Sequence, residues 1–295
     1  MKERAPTELA QLEAMFRARL AALNIEQRRA LSDALGERYP TAADVETRAA
    51  VANGVPAEWT STSPARDDGV ILYLHGGGFV WGSLTSHRHL VSELGRAAEM
   101  RTFALDYRRA PEFPFPHALE DAVNGYKYLL DSGQQVVIAG DSAGAGLAVS
   151  TLVRLRELGL PQPASAVLFS PWTDMTISAG SYARNAERDP VLNRELMLFL
   201  AAQYLGDRPR DTALASPVFA DLHGIAPLNI FVGATESLLD DSIALARAAT
   251  LADVRVRLEI WPKMFHFWPN YYQELAEGRL AVSMAGAILR EAMPK

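Results

Sequence analysis

The sequence predicts an α/β fold with a mostly parallel central sheet, helices on both faces and a helical cap. Short apolar segments alternate with helical ones from residue 70 to the C-terminus, the pattern of a parallel sheet buried on both sides. The 295 residues, 49 % of them hydrophobic, can cover a substantial core as one large domain or two small ones. One interval is far longer than a strand-helix-strand step needs, which marks an insertion.

Taken in order, Leu9, Leu12, Phe16, Leu20 and Leu23 recur at helical spacing, and a second helical stretch runs over 25–35. Residues 44–61 then read as two short strands around Asn53-Gly54, a hairpin turn signal. Strands are predicted at 70–74, 101–105, 136–139, 165–170, 228–232 and 256–261. Helices are predicted near 86–98, 116–131, 143–158 and 240–252, with a last one ending near Met293. Nearly 60 residues separate Ser170 from Leu228, including a predicted helix over 192–204. Such an insertion lies over the carboxyl edge of the sheet, where open α/β folds bind ligands, and with the N-terminal helices it makes a lid.

Composition narrows the function. The net charge of −6 and the scattered Lys and Arg argue against nucleic acid or an anionic membrane, leaving a small-molecule partner. Absence of cysteine excludes disulfides, thiolate catalysis and Cys-ligated metal. The N-terminal stretch mixes charged and apolar residues unlike a secretory signal, and no apolar run reaches the roughly 18 residues of a membrane span; the expectation is a soluble, cytoplasmic protein.

The strand at 136–139 runs directly into Gly140-Asp141-Ser142-Ala143-Gly144, a G-x-S-x-G pattern at a strand-to-helix turn. So tight a turn strains the backbone of Ser142, demands small flanking residues and points the hydroxyl off the sheet edge. A phosphate-binding turn is the alternative, but Asp141 would repel an anion. A serine hydroxyl needs a base to become a nucleophile, and the chain has six histidines: His75, His87, His89, His117, His223 and His266. If the order is serine, acid, histidine, the base lies beyond the acidic loop GATESLLDDS (233–242), and His266 alone does. After the strand at 70–74, His75-Gly76-Gly77-Gly78-Phe79 supplies three successive glycines whose N–H groups can turn toward one point, as an oxyanion hole requires. The N–H of Ala143, next after Ser142, is a further donor.

HGGGF (75–79), DYRRAPEFPFPHALED (106–121), GDSAG (140–144), SPWTD (170–174) and FHFW (265–268) together resemble the bacterial hormone-sensitive-lipase-like esterases of the α/β-hydrolase fold. The resemblance implies that Gly77, Gly78 and Ala143 donate to the oxyanion and that His75 and the DYR motif support the loop. It also implies N-terminal cap helices at 1–40 and a catalytic domain at 41–295 with a cap insertion at about 175–215. Arg109 stands where the family usually has leucine, a departure expected to affect the surface more than the site. The family's acid segment, D-P-L-x-D, aligns with Glu236-Ser237-Leu238-Leu239-Asp240, so glutamate replaces the usual aspartate. Glu236 follows closely on a strand end and is the predicted acid. Asp240 and Asp241 fall where a helix starts, an ordinary place for carboxylates, with Asp240 in reserve.

The predicted chemistry is serine carboxylesterase action: Ser142 as nucleophile, His266 as base, Glu236 as its orienting acid, and an acyl-enzyme intermediate. The resemblance implies short acyl chains. Lactones, amides and peptides are alternatives, as is a non-catalytic small-ligand receptor, which His266 disfavours. Phe79, Trp81, Trp172, Met175 and Phe267 are expected to bind substrate, with Phe265 and Trp268 as further candidates for an apolar pocket. No metal or cofactor is expected. His87-x-His89 lacks a carboxylate cluster and is read as a polar helix start. The last strand, VRLEIW, is a possible sheet edge and homodimer contact, although its alternating charges could equally protect it.

Overall fold

The computed structural model describes residues 8–19, 23–63 and 65–293. Helix α1 spans Glu8–Arg19 and buries the Leu12 side chain, while Leu20 and the side chain of Phe16, which belong to the same predicted periodicity, lie outside the described residues. Helix α2 (Ile25–Glu37) starts where Asn24 accepts from the Gln27 N–H and the Gln27 side chain accepts from Asn24 in return, so two of the helix's unpaired donors are satisfied. Strands β1 (Glu46–Ala52) and β2 (Val55–Ser61) form the expected hairpin, with Asn53 and Gly54 both at positive φ.

The remaining elements alternate as predicted: β3 (Arg66–Leu74), α3 (Leu84–Ala98), β4 (Met100–Leu105), α4 (His117–Asp131), β5 (Gln135–Asp141), α5 (Ser142–Glu157) and β6 (Ala166–Phe169). After β6 come the short α6 (Ser181–Arg184) and α7 (Arg194–Leu205), whose start is fixed by Asn193 accepting from the Leu196 N–H. The series closes with β7 (Leu228–Gly233), α8 (Leu239–Leu251), β8 (Val256–Trp261) and α9 (Ala276–Ala292).

Among the described residues the strands form one sheet in the order β1-β2-β4-β3-β5-β6-β7-β8, in which β2 is antiparallel to both β1 and β4 and every other pair is parallel. Side chains alternate across it. Val70, Leu72 and Leu74 of β3 pack with α4, α5 and α8, whereas Ile71 and Tyr73 pack on the opposite face with α3 and α9. From β3 the chain moves to β4 on one side and then to β5 on the other. The carboxyl ends of β3 and β5 are therefore a topological switch point, the place where such sheets open a ligand crevice. Both glycine motifs sit there, with Leu74 paired in register to Gly140.

Helices α2 and α7 flank a cavity above that edge, lined by Leu31 and Leu35 of one and Leu196 and Leu200 of the other. Arg29 ties α2 down by donating to the carbonyls of Val80 and Ala110 and pairing with Glu112 at 2.7 Å. At the far end of the sheet β8 is an outer strand, with Ile260 exposed and Arg257 paired to Glu259 along it. No helix among the described residues is long and apolar enough to cross a membrane.

Helices α3 and α9 approach closely at Gly286, where an added Cβ would fall 2.5 Å from both the carbonyl carbon and the Cβ of Ala97. Gly286→Ala is expected to destabilise the fold by about 1–3 kcal/mol through overpacking, read as a lowered thermal midpoint. Ser283→Ala, on the exposed face of the same helix, should stay within about 0.5 kcal/mol of the wild type.

Candidate active site

The turn from β5 to α5 has no linking residue, and Ser142 occupies it at φ +51°. The predicted need for small neighbours has a concrete cause. A Cβ on Gly144 would lie 2.0 Å from the Leu74 carbonyl oxygen, and one on Gly140 would lie 2.7 Å from it. The turn presents Ser142 Oγ to His266, donating to Nε2 at 3.0 Å. On the other side of the ring, His266 Nδ1 donates to Glu236 Oε2 at 3.0 Å.

Glu236 is fully buried, and its second oxygen accepts from the Gly233 N–H at 2.6 Å and from Ser170 Oγ at 2.8 Å. Burial pushes this carboxyl above its ordinary range, while His266, Gly233 and Ser170 oppose that by binding the charged form. For His266, burial is the largest single influence and lowers its pKa. The hydrogen bond and charge of Glu236, aided by Asp189 and Asp141, together outweigh it and leave the ring raised above 6.5. Neither Asp240, the reserve candidate, nor Asp241 bonds the ring. Asp240 pairs with Arg184 at 2.5 Å, and Asp241 accepts long bonds from the N–H groups of Thr173 and Asp174. Both lie in the first turn of α8 as expected, but their partners come from the β6–β7 segment rather than from the helix end.

Gly77 and Gly78 line the cavity beside Ser142, at φ +105° and +63°. A Cβ on Gly77 would meet the Trp81 carbonyl oxygen at 2.2 Å and one on Gly78 would press into Leu200, so glycine is required at each for conformation and for space. Ala143 is buried in the first turn of α5, where N–H groups have no carbonyl one turn earlier to bond. Asp141 holds the loop from below, accepting from the Gly76 N–H at 3.0 Å and from Tyr73 Oη at 2.9 Å. Tyr107 of the DYR segment donates to the His75 carbonyl.

A family model of the α/β-hydrolase fold matches residues 71–270. The chain belongs to the α/β-hydrolase family. Within it the chain joins the bacterial hormone-sensitive-lipase-like esterases: the crystal structure of an esterase from that family superposes with a TM-score of 0.96 at 43 % identity, covering 99 % of this chain and all of that one. An acetyl-hydrolase of Streptomyces hygroscopicus is 49 % identical over 240 residues, 80 % of each chain. An esterase of Acinetobacter venetianus is 33 % identical over 261 residues, 84 % of this chain and 86 % of that one.

In this α/β-hydrolase the cavity holds about 180 Å³. Of the five residues expected to bind substrate, Trp81, Trp172 and Phe267 line it. Phe79 and Met175 do not. Phe79 turns its ring onto Tyr204 of α7, centroids 3.7 Å apart, and Met175 is buried in the core with its N–H bonded to Ser216. Phe265 and Trp268 pack in the opposite core with α9.

Two further expectations are corrected. Arg109 is no surface substitution, because its guanidinium donates to the Gly82 carbonyl at the end of the glycine loop. His87 and His89 are buried rather than forming a polar helix start. Ser83 and Ser86 cap α3, which frees His87 to approach Asp141 and leaves His89 between the rings of Tyr39 and Tyr272. Ser170 stands in the SPWTD motif, which does not itself reveal its bond to Glu236, and Asn185 and Asp189 carry no motif signal.

Titration of the His266 ring by NMR should give a pKa above 6.5 in the wild type. In Glu236→Gln the charge that raises it is gone and burial acts with less opposition, so the value should fall. An unchanged value would mean that Glu236 is not the dominant partner.

Proposed function

We propose that the chain is a serine carboxylesterase hydrolysing short-chain acyl esters through an acyl-enzyme intermediate. The esterase and acetyl-hydrolase relatives support carboxylesterase activity. The observation that carries the serine mechanism is the unbroken row Ser142 Oγ, His266, Glu236, with both hydrogen bonds at 3.0 Å.

In this reading Ser142 Oγ attacks the ester carbonyl carbon while His266 Nε2 takes its proton. Glu236 cannot donate while ionised, so it holds the ring in the Nδ1–H tautomer that leaves Nε2 free to accept, and it stabilises the imidazolium once formed. The carbonyl oxygen becomes an oxyanion and receives N–H groups of Gly77, Gly78 and Ala143; each such donor is worth about 3–4 kcal/mol in the transition state. The imidazolium then protonates the leaving alcohol. Water enters and attacks the acyl carbon as His266 takes its proton; the bond from Ser142 Oγ to that carbon then breaks, the imidazolium returns the proton to Oγ, and the carboxylic acid leaves.

Helix α2 and the segment around α6 and α7 act as the cap, walling the cavity with Leu31, Leu35, Leu196, Met197 and Leu200. A cavity near 150 Å³ takes a molecule the size of benzene, so about 180 Å³ suits an acetyl or butyryl group. Pairing of two copies along β8 would complete the outer edge of the sheet.

Hydrolysis of 4-nitrophenyl butyrate should be readily measured, lost in Ser142→Ala, and faster than hydrolysis of 4-nitrophenyl palmitate. Inactivity of the wild type toward short esters overturns the proposal. Glu236→Gln should lower kcat by about 10⁴, whereas Asp240→Asn should keep near-wild-type turnover. Because the base must be neutral to accept a proton, kcat/KM should rise with pH through an acid limb whose midpoint lies above 6.5.

A further inference from the structure

The loop that bears Glu236 is bonded to its own strand at Gly233, to the end of β8 at Trp261 and the turn after it at Met264, and to the segment that runs from α6 to α7. Asn185 is fully buried and donates from Nδ2 to the Glu236 carbonyl at 2.7 Å and to the Ala234 carbonyl at 3.3 Å. Asp189, also buried, accepts from the Ser237 N–H at 2.7 Å on one oxygen. Its other oxygen accepts the N–H groups of Val191 and Leu192 at 2.9 and 3.0 Å, and those two residues line the cavity. Ser181 and Ser237 add two more bonds between the same segments. A carboxylate with three backbone donors is a rigid bracket: one oxygen grips the wall that faces the substrate, the other grips the residue next to Glu236.

We propose that Asp189 and Asn185 are positioning residues for the Ser142–His266–Glu236 row. They fix the backbone on either side of Glu236, and Asp189 also lends a second negative charge to the protonated His266 ring. This rests on the esterase reading for its kinetic arm only. The groups facing His266 are Glu236 after β7, Asp189 before α7 and Asp141 of β5; His87 of α3 meets the last, and Tyr182 of α6 feels the charge of Asp189. Asp189 and Asp141 are each close enough for their charge to favour the imidazolium, behind the directly bonded Glu236. Small displacements suffice to matter, since a misplacement of about 1 Å at a reacting group costs on the order of 100-fold.

The two residues separate two effects. Asp189→Asn removes charge and disturbs the bracket, so kcat on 4-nitrophenyl butyrate should fall about 100-fold with little change in KM, and the acid limb should move to lower pH. Asn185→Ser removes two donors and no charge, so kcat should fall while the acid limb stays where it is. Asp240→Asn, which breaks an ion pair with Arg184 in the first turn of α8 just after that loop, should do neither. NMR titration of His266 reads the charge effect without any turnover: its pKa should drop in Asp189→Asn and hold in Asn185→Ser. Wild-type kcat in a folded Asn185→Ser, or an unmoved His266 in Asp189→Asn, overturns the proposal. Should Asp189→Asn fail to fold, Asn185→Ser decides the positioning role alone. Absence of esterase activity in the wild type overturns the enzymatic reading and leaves the titration result standing.

Discussion

The site depends on a backbone conformation that serine does not favour. Ser142 is held at φ +51°, in the left-handed region, where a non-glycine residue costs of order 1–3 kcal/mol unless its surroundings over-determine it. The surroundings here are β3 on one side and the start of α5 on the other, so close that neither Gly140 nor Gly144 could carry a side chain without striking the Leu74 carbonyl. Packing of helix on sheet holds the turn, and the turn aims the hydroxyl. Phe79, Ser170 and Phe267 share positive φ at this same edge, at +63°, +49° and +58°. Positive φ thus recurs in four turns that converge on one edge of the sheet.

Electrostatics follow from that convergence. A fully buried carboxylate is costly unless its lone pairs are used, and Glu236 uses them on Gly233, Ser170 and His266. Ser170 in turn receives the Phe267 N–H, so the residue after His266 is tied to the residue that holds Glu236. The imidazole is therefore fixed from both its ring and its backbone. Its raised pKa is the balance of a desolvating pocket and a charge placed to oppose it.

Much of this was legible in the chain, because the rules involved are local. The strand-to-helix turn at GDSAG, the glycine run after β3, the Asn53-Gly54 hairpin and the alternation of apolar segments each declare themselves within a few residues. The ranking of Glu236 over Asp240 and Asp241 comes from two features of the chain, the alignment of ESLLD with the acid segment of the esterases it resembles and the nearness of Glu236 to a strand end. What the sequence hid was tertiary. Phe79 and Trp81 look alike two residues apart, yet positive φ at Phe79 turns its ring to Tyr204 while Trp81 reaches the cavity. His87 and His89 read as polar, but two serines cap α3 and the rings go inward. Asn185 and Asp189 lie in irregular sequence with no periodicity to give them away, and only the folded path of the chain brings them to the loop after β7.

A glutamate in place of the usual aspartate has a structural answer in the same contacts. An extra methylene could carry the carboxylate past the imidazole. Here the side chain instead folds back over its own loop, and Oε1 takes the N–H of Gly233, three residues earlier. Gly233 has to be glycine for this, because a Cβ there would sit 2.9 Å from that oxygen and 2.1 Å from the Met264 carbonyl oxygen. The reach of the longer acid is absorbed by the turn, and Oε2 still meets His266 at 3.0 Å. It also shifts the burden of precision. A carboxylate anchored to its own loop is only as well placed as the loop, and the loop is held at the Ala234, Glu236 and Ser237 backbone by Asn185 and Asp189. The wall of the cavity and the acid of the row therefore share one support.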